Sequence, residues 1–206
     1  MPEIPLAVSF ALLDYAGVAV FAATGALGAA RHKHTIVTFA FFAAVTGVGG
    51  GTLRDLLIGA PVFWVGNDAY LAVCLAMAAL VWLTRADRWP FATLLWLDAV
   101  GMAAYAVIGT AKALSFGVPP LVGIVMGVLT ATFGGIVRDV LANEPSILLK
   151  PEIYLSAAAL GAAVFVGLSA MGLAPLVAGI IGVAAGFGLR AGALSFGWTL
   201  PGYRRA

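Results

Sequence analysis

Laid over itself with a shift of 84 positions, the chain matches without a gap. Leu13-Asp14 falls on Leu97-Asp98, Gly17 on Gly101, Gly25 on Gly109, Thr46 on Thr130, Gly50-Gly51 on Gly134-Gly135 and Arg54-Asp55 on Arg138-Asp139. Pro61 then falls on Pro145, Asp68 on Glu152 and Tyr70-Leu71 on Tyr154-Leu155, giving 18 identities in the 70 pairs from Leu13/Leu97 to Trp82/Val166. Apolar coincidences are cheap in an alanine-rich chain. Asp, Arg, Pro and Tyr in register are not, and self-similarity at a fixed period marks a duplicated structural unit.

The unit is made of apolar runs. They recur at about 8–30, 36–58, 69–84, 91–114, 119–142, 153–170 and 174–192, separated by short breaks such as Arg31-His32-Lys33-His34 and Ala60-Pro61. At about 20 apolar residues per spanning helix, they predict an all-α membrane protein with seven transmembrane helices. The chain, 1–206, is then a single transmembrane domain with repeat one at about 8–84, repeat two at about 91–170 and helix seven at about 174–192. With 63% hydrophobic and 10% charged residues, against about 25% charged in soluble domains, a water-soluble globule is excluded. Three spans per repeat is an odd number, so the second copy enters the membrane from the opposite side. Such an inverted three-plus-three repeat places its functional residues near mid-depth, where discontinuous helices meet.

Charge placement sets the expected orientation. Arg31, Lys33, Arg85, Arg88, Lys150, Arg190, Arg204 and Arg205 fall on one side of a seven-span chain, and Lys112 alone on the other. Because cytoplasmic loops carry the excess of Lys and Arg, the N-terminus is expected outside and the C-terminus in the cytoplasm, in the plasma (inner) membrane of a prokaryote. Trp89, Trp96 and Trp198 lie near span ends, where interfacial aromatics belong. The first run lacks a basic leader and holds Asp14, so it is expected to be retained. No basic face suggests a nucleic-acid partner.

The sharpest chemistry is Gly49-Gly50-Gly51-Thr52-Leu53-Arg54-Asp55 and its copy Phe133-Gly134-Gly135-Ile136-Val137-Arg138-Asp139. Arg or Asp near a helix centre costs about 2.5–3.5 kcal/mol each, while a strong apolar residue returns only about 0.3–0.6. Both charged pairs must therefore face the bundle interior or water. The expected partners cross the repeats, Asp139 for Arg54 and Asp55 for Arg138. Consecutive glycines are expected to break or kink helices 2 and 5 and release carbonyls. Irregular backbone at membrane depth is tolerated only where it is buried in protein or lines an aqueous cavity. Those carbonyls, the hydroxyls of Thr46 and Thr130, and the carboxylates of Asp55 and Asp139 are oxygen donors able to replace part of a cation's hydration shell. The bland reading is an ion-pair cluster that pins two helices.

Other features read more quietly. Asp14 and Asp98 are expected near the starts of helices 1 and 4, neutralising the helix dipole. Gly123/Gly127 and Gly182/Gly186 have the spacing of close helix packing, and Cys74 is expected to be packing. Arg31 and Lys33 form a basic turn with candidate lipid-binding character. His32 and His34 are too few for a metal shell, and no metal or cofactor is expected. No nucleophile–base arrangement is present, so no enzymatic activity is expected.

The paired glycine–Arg-Asp motifs, the three-plus-three repeat and the seventh helix together resemble the prokaryotic branch of the trimeric intracellular cation (TRIC) channel family, over residues about 8–192. Its bacterial members also resemble the group described by a glycine-transporter domain. The resemblance implies a homotrimer, each subunit carrying its own pore for potassium and other monovalent cations, lined by the kinked second and fifth helices. By motif position the pore residues would be Gly49, Gly50, Gly51, Arg54 and Asp55 with Gly134, Gly135, Arg138 and Asp139. Phe133 stands where the first motif has Gly49, so the halves should differ. The animal members' Lys-Glu-Val motif is absent, so phosphoinositide regulation is not carried over. The competing readings are a secondary transporter of a small zwitterion such as glycine, and a non-conducting structural membrane protein.

Overall fold

A computed structural model describes residues 6–84 and 90–201, with side chains from Asp14 onward. Arg85, Arg88, Trp89, Arg204 and Arg205 lie outside the described residues. Among the described residues there are seven α-helices: α1 Leu6–Arg31, α2 Ile36–Leu57, α3 Ala69–Leu83, α4 Phe91–Ser115, α5 Pro120–Leu141, α6 Leu155–Ala170 and α7 Pro175–Phe196. A 3-10 turn, Ile147–Leu149, lies between α5 and α6.

Local chemistry sets several of these boundaries. The Thr35 hydroxyl accepts from the Thr38 backbone N–H at 3.5 Å, capping α2. Pro at the first helical position opens α5 and α7, where its missing N–H costs nothing. Gly197, at φ +68°, closes α7 in the left-handed region that favours glycine. Two pairs of left-handed positions obey the 84-residue shift: Lys33 (φ +54°) corresponds to Gly117 (φ +81°), and Gly59 (φ +69°) to Asn143 (φ +54°). The turns repeat although their residues do not.

Helices α2, α4, α5 and α7 are long and apolar enough to cross a membrane by length and composition; α3 and α6 are apolar but shorter. Large apolar side chains stand exposed on the outside, Val37 and Leu121 at 74% among them. An apolar surface of that extent marks contact with lipid or partners, not water. Inside, Val18, Ala22 and Ala26 of α1, Phe42 and Ala43 of α2, Met102 and Ala106 of α4 and Ala131 of α5 share one core. Around α7 a smaller cluster of Val107, Phe165 and Ala178 is buried.

The glycine runs do not break their helices. Both α2 and α5 continue as α-helix through Gly49-Gly50-Gly51 and Gly134-Gly135. What the missing side chains provide is approach: Gly50 packs on the Thr130 carbonyl of α5, and Gly134 on the Thr46 carbonyl of α2. Keeping the helical hydrogen bonds avoids unpaired polar backbone in apolar surroundings, which would cost several kcal/mol per group. The expected release of carbonyls is therefore corrected to a close helix crossing.

The other glycine spacings also serve packing within the subunit. A methyl on Gly182 would stand 2.8 Å from the Gly161 carbonyl oxygen, and one on Gly186 3.0 Å from that of Ala157, so α6 and α7 meet backbone to backbone. Gly127 packs on Thr110 and Ala106 of α4, and Gly123 on Leu114. Cys74 is fully buried, its sulfur against Gly47.

Candidate functional site

The crossing of α2 and α5 pairs residue 46 with 134 and residue 50 with 130. The two helices are thus antiparallel there, and Arg54 and Arg138 lie on opposite sides of the crossing. Each is the anchor of one half-site.

In the first half-site Arg54 and Asp55 are 3% and 0% exposed. Arg54 donates from Nε to Asp55 Oδ1 at 2.9 Å, with Nη2 at 2.9 Å from the same oxygen. Asp55 Oδ2 accepts the Phe63 backbone N–H at 3.1 Å, tying down the loop that follows α2. Lys112, in the last turn of α4, brings its Nζ to 2.9 Å from both carboxylate oxygens and lies 5.6 Å from the centre of the Phe63 ring. Asp14 accepts from the Tyr70 hydroxyl at 2.8 Å and from the Tyr105 hydroxyl at 2.9 Å.

In the second half-site Arg138 and Asp139 are 1% and 8% exposed. Arg138 donates from Nε (3.0 Å) and Nη2 (2.8 Å) to Asp139 Oδ1, and Asp139 Oδ2 accepts the Ile147 backbone N–H at 3.1 Å. Phe63 and Ile147 are themselves 84 residues apart, so the loop-tying bond is duplicated with its helix. Arg138 also donates from Nη1 to Asp98 Oδ1 at 2.9 Å. The position matching Lys112 is Gly28. A hollow of about 40 Å³ opens there, bordered by Gly28, Arg31, Asp139, Ile147, Glu144 and Lys150.

A hydroxyl also separates the two arrangements. Tyr105 packs on Gly17, and its counterpart Phe21 packs on Gly101, a reciprocal contact of ring on glycine. Only Tyr105 carries an oxygen, which reaches the Asp14 carboxylate at 2.9 Å. Asp98 meets no such hydroxyl from Phe21 and binds Arg138 instead.

Several expectations are corrected by this geometry. Arg54 and Arg138 pair with their own repeat's Asp55 and Asp139, not crosswise, because the antiparallel crossing holds the two pairs apart. Asp14 and Asp98 sit well inside α1 and α4 with side-chain partners, so neither caps a helix. Lys112 and Arg190, counted with the loops, belong to α4 and α7; Arg190 is 1% exposed and bonds Glu152 at 2.7 Å. Thr130 spends its hydroxyl on the Met126 carbonyl at 2.6 Å, while the buried Thr46 hydroxyl has no partner. Gly49 faces open space, Gly51 packs on Phe63, and Gly135 lies beside Tyr154 and Asp98. Arg31 is exposed with its guanidinium 4.1 Å from the centre of the Phe91 ring, Lys150 reaches the same ring at 5.8 Å, and Lys33 is exposed.

Sequence reasoning missed Lys112, Tyr105, Tyr70 and Arg190 as members of these networks. Tyr70 and Glu152 could have been found, since both stand in the repeat register with Tyr154 and Asp68. Lys112 and Tyr105 leave no such trace, because their counterparts are Gly28 and Phe21.

Comparison with known proteins bears on what such a site belongs to. A family profile described as "Glycine transporter" matches twice, at residues 11–86 and 95–170, again 84 residues apart. A UPF0126 membrane protein of Vibrio cholerae is 39% identical over 193 residues, covering 92% of this chain and 81% of its own. The UPF0126 inner membrane protein YadS of Escherichia coli is 41% identical over 152 residues, covering 72% of this chain and 73% of its own. Among solved structures, a TRIC trimeric intracellular cation channel orthologue from Rhodobacter sphaeroides is 47% identical with a TM-score of 0.89, covering 92% of this chain and 99% of that one.

Proposed function

We propose, given that this chain belongs to the prokaryotic branch of the TRIC channel family, that it is a potassium-permeable channel conducting through a pore within each subunit of a homotrimer. The observation that carries the reading is the likeness, over 92% of the chain, to a solved cation channel. Buried ionisable side chains at membrane depth are expensive and by default mark an ion or substrate path. Here the path runs along the crossing of α2 and α5, past Thr46, Gly49, Gly50, Gly51, Arg54 and Asp55 on one side and Thr130, Gly134, Gly135, Arg138 and Asp139 on the other. In the conformation described, Asp55 is held by Arg54, Lys112 and the Phe63 amide, and Asp139 by Arg138 and the Ile147 amide. A cation therefore meets Asp55 only when Lys112 moves off it.

The proposal includes a seven-span, inverted three-plus-three arrangement in a prokaryotic plasma membrane, with the N-terminus outside and the C-terminus in the cytoplasm. Arg31 and Lys33 would then meet anionic head groups. The test is current in planar bilayers. Purified protein should carry potassium, and Asp55→Asn with Asp139→Asn should reduce that current. Absence of current, or indifference to both substitutions, overturns the reading.

A second reading is favoured by the family description, which names glycine. An Arg-Asp pair could hold the carboxylate and ammonium of a zwitterion across a repeat interface. Saturable, gradient-driven uptake of radiolabelled glycine into liposomes, without potassium current, would replace the channel with a transporter.

A further inference from the structure

Helix α7 has no partner in the repeat, yet its one buried charge is wired to one half-site only. Arg190 is 1% exposed, donates from Nη2 to Glu152 at 2.7 Å and from Nη1 to the Ile153 carbonyl at 3.3 Å, and leaves Nε without a partner. Its guanidinium lies 5.2 Å from the centre of the Tyr154 ring. The Tyr154 hydroxyl and Asp98 Oδ1 both border the open face of Gly135, 3.2 and 3.3 Å from where a methyl would stand, and Asp98 holds Arg138. The stretch after α7 is sewn to the same segment: Leu200 donates its N–H to the Pro151 carbonyl at 2.9 Å, and Thr199 bridges Glu152.

The first half-site has the counterparts of this segment, Asp68 and Tyr70, but among the described residues no cation like Arg190 bonds Asp68. Its tyrosine is fixed instead by a hydrogen bond to Asp14. Tyr154 stands beside Asp98 as Tyr70 stands beside Asp14, and its ring is in addition met by the Arg190 guanidinium.

We propose that Arg190 is a positioning residue for the second half-site: by clamping residues 152–154 it holds Tyr154 against Asp98 and thereby fixes the Asp98–Arg138–Asp139 array. The current-carrying consequence rests on the channel reading; the positioning itself does not. A guanidinium suits the role because its rigid fork serves two acceptors while its face meets an aromatic ring.

Two measurements separate these claims. Hydrogen exchange should be compared for the segments holding the Ile147 and Phe63 amides, which report the Asp139 and Asp55 carboxylates. Arg190→Gln should speed exchange around Ile147 about tenfold or more and leave Phe63 unchanged, with Glu152→Gln giving the same pattern more weakly. Equal acceleration at both segments, or at neither, overturns the proposal. In bilayers Arg190→Gln should lower unitary potassium conductance, and Arg190→Lys should restore part of it. The loss should vanish in an Asp139→Asn background and persist with Asp55→Asn. An unchanged loss in the Asp139→Asn background overturns action through that carboxylate. If the unsubstituted protein carries no current, the channel reading fails and exchange alone decides the positioning.

Discussion

Tyr105 shows how much one oxygen decides. Its ring contact on Gly17 has a counterpart in Phe21 on Gly101, but its hydroxyl adds a bond to Asp14 that the other repeat lacks. Tyr105→Phe should cost about 1–2 kcal/mol for the lost bond to a charged group, read as a lowered Tm in detergent. Lys112 is the second such residue. It is 29% exposed while its partner Asp55 is fully buried. Lys112→Met strips one of Asp55's donors but leaves Arg54 and the Phe63 amide, so the expected loss is about 1–3 kcal/mol, below that of a carboxylate left wholly unpaired. In the proposed channel the same variant raises potassium current, since it removes a fixed cation from the path.

At the scale of the element, glycine is used for contact and for turns, and the two uses predict different outcomes. Gly50→Leu or Gly134→Ala drives a side chain into a carbonyl of the facing helix and should cost about 1–3 kcal/mol or more as overpacking. Gly49→Ala meets open space and should be neutral or stabilising by up to about 1 kcal/mol through helix propensity. Thermal unfolding of the three variants side by side orders them. At the turns, Lys33 holds a left-handed conformation that its counterpart Gly117 adopts freely. Lys33→Gly should therefore stabilise by roughly 0.5–1 kcal/mol, net of the unfolded-state entropy glycine adds, as a raised Tm.

For the molecule as a whole, the sequence carried the repeat and its helices, because rare residues in register and apolar runs of span length are local facts. Helices α2 and α5 coincide residue for residue under the shift. Partner choice was not readable. Whether Arg54 meets Asp55 or Asp139 depends on the sense in which two helices cross, and Asp98 as a partner of Arg138 requires a fourth helix at the same level. The expected break at the glycine runs failed for a physical reason: absence of a Cβ weakens a helix in water but, in a packed apolar bundle, is filled by a neighbour's backbone. Arg190 was grouped with the charges on one side of the membrane, which says nothing of where its side chain points.

The inequality of Lys112 and Gly28 has an electrical consequence. In the proposed channel one mouth carries the tethered Lys112 ammonium and the other a water-sized gap beside Asp139. In that channel reversing the voltage does not reverse the journey: ions arriving from one side first push past an ammonium bonded to the carboxylate, and those from the other side meet it last. Such a conduit behaves as a leaky diode, and Lys112→Gly, which removes this difference between its two ends, should straighten its current–voltage curve.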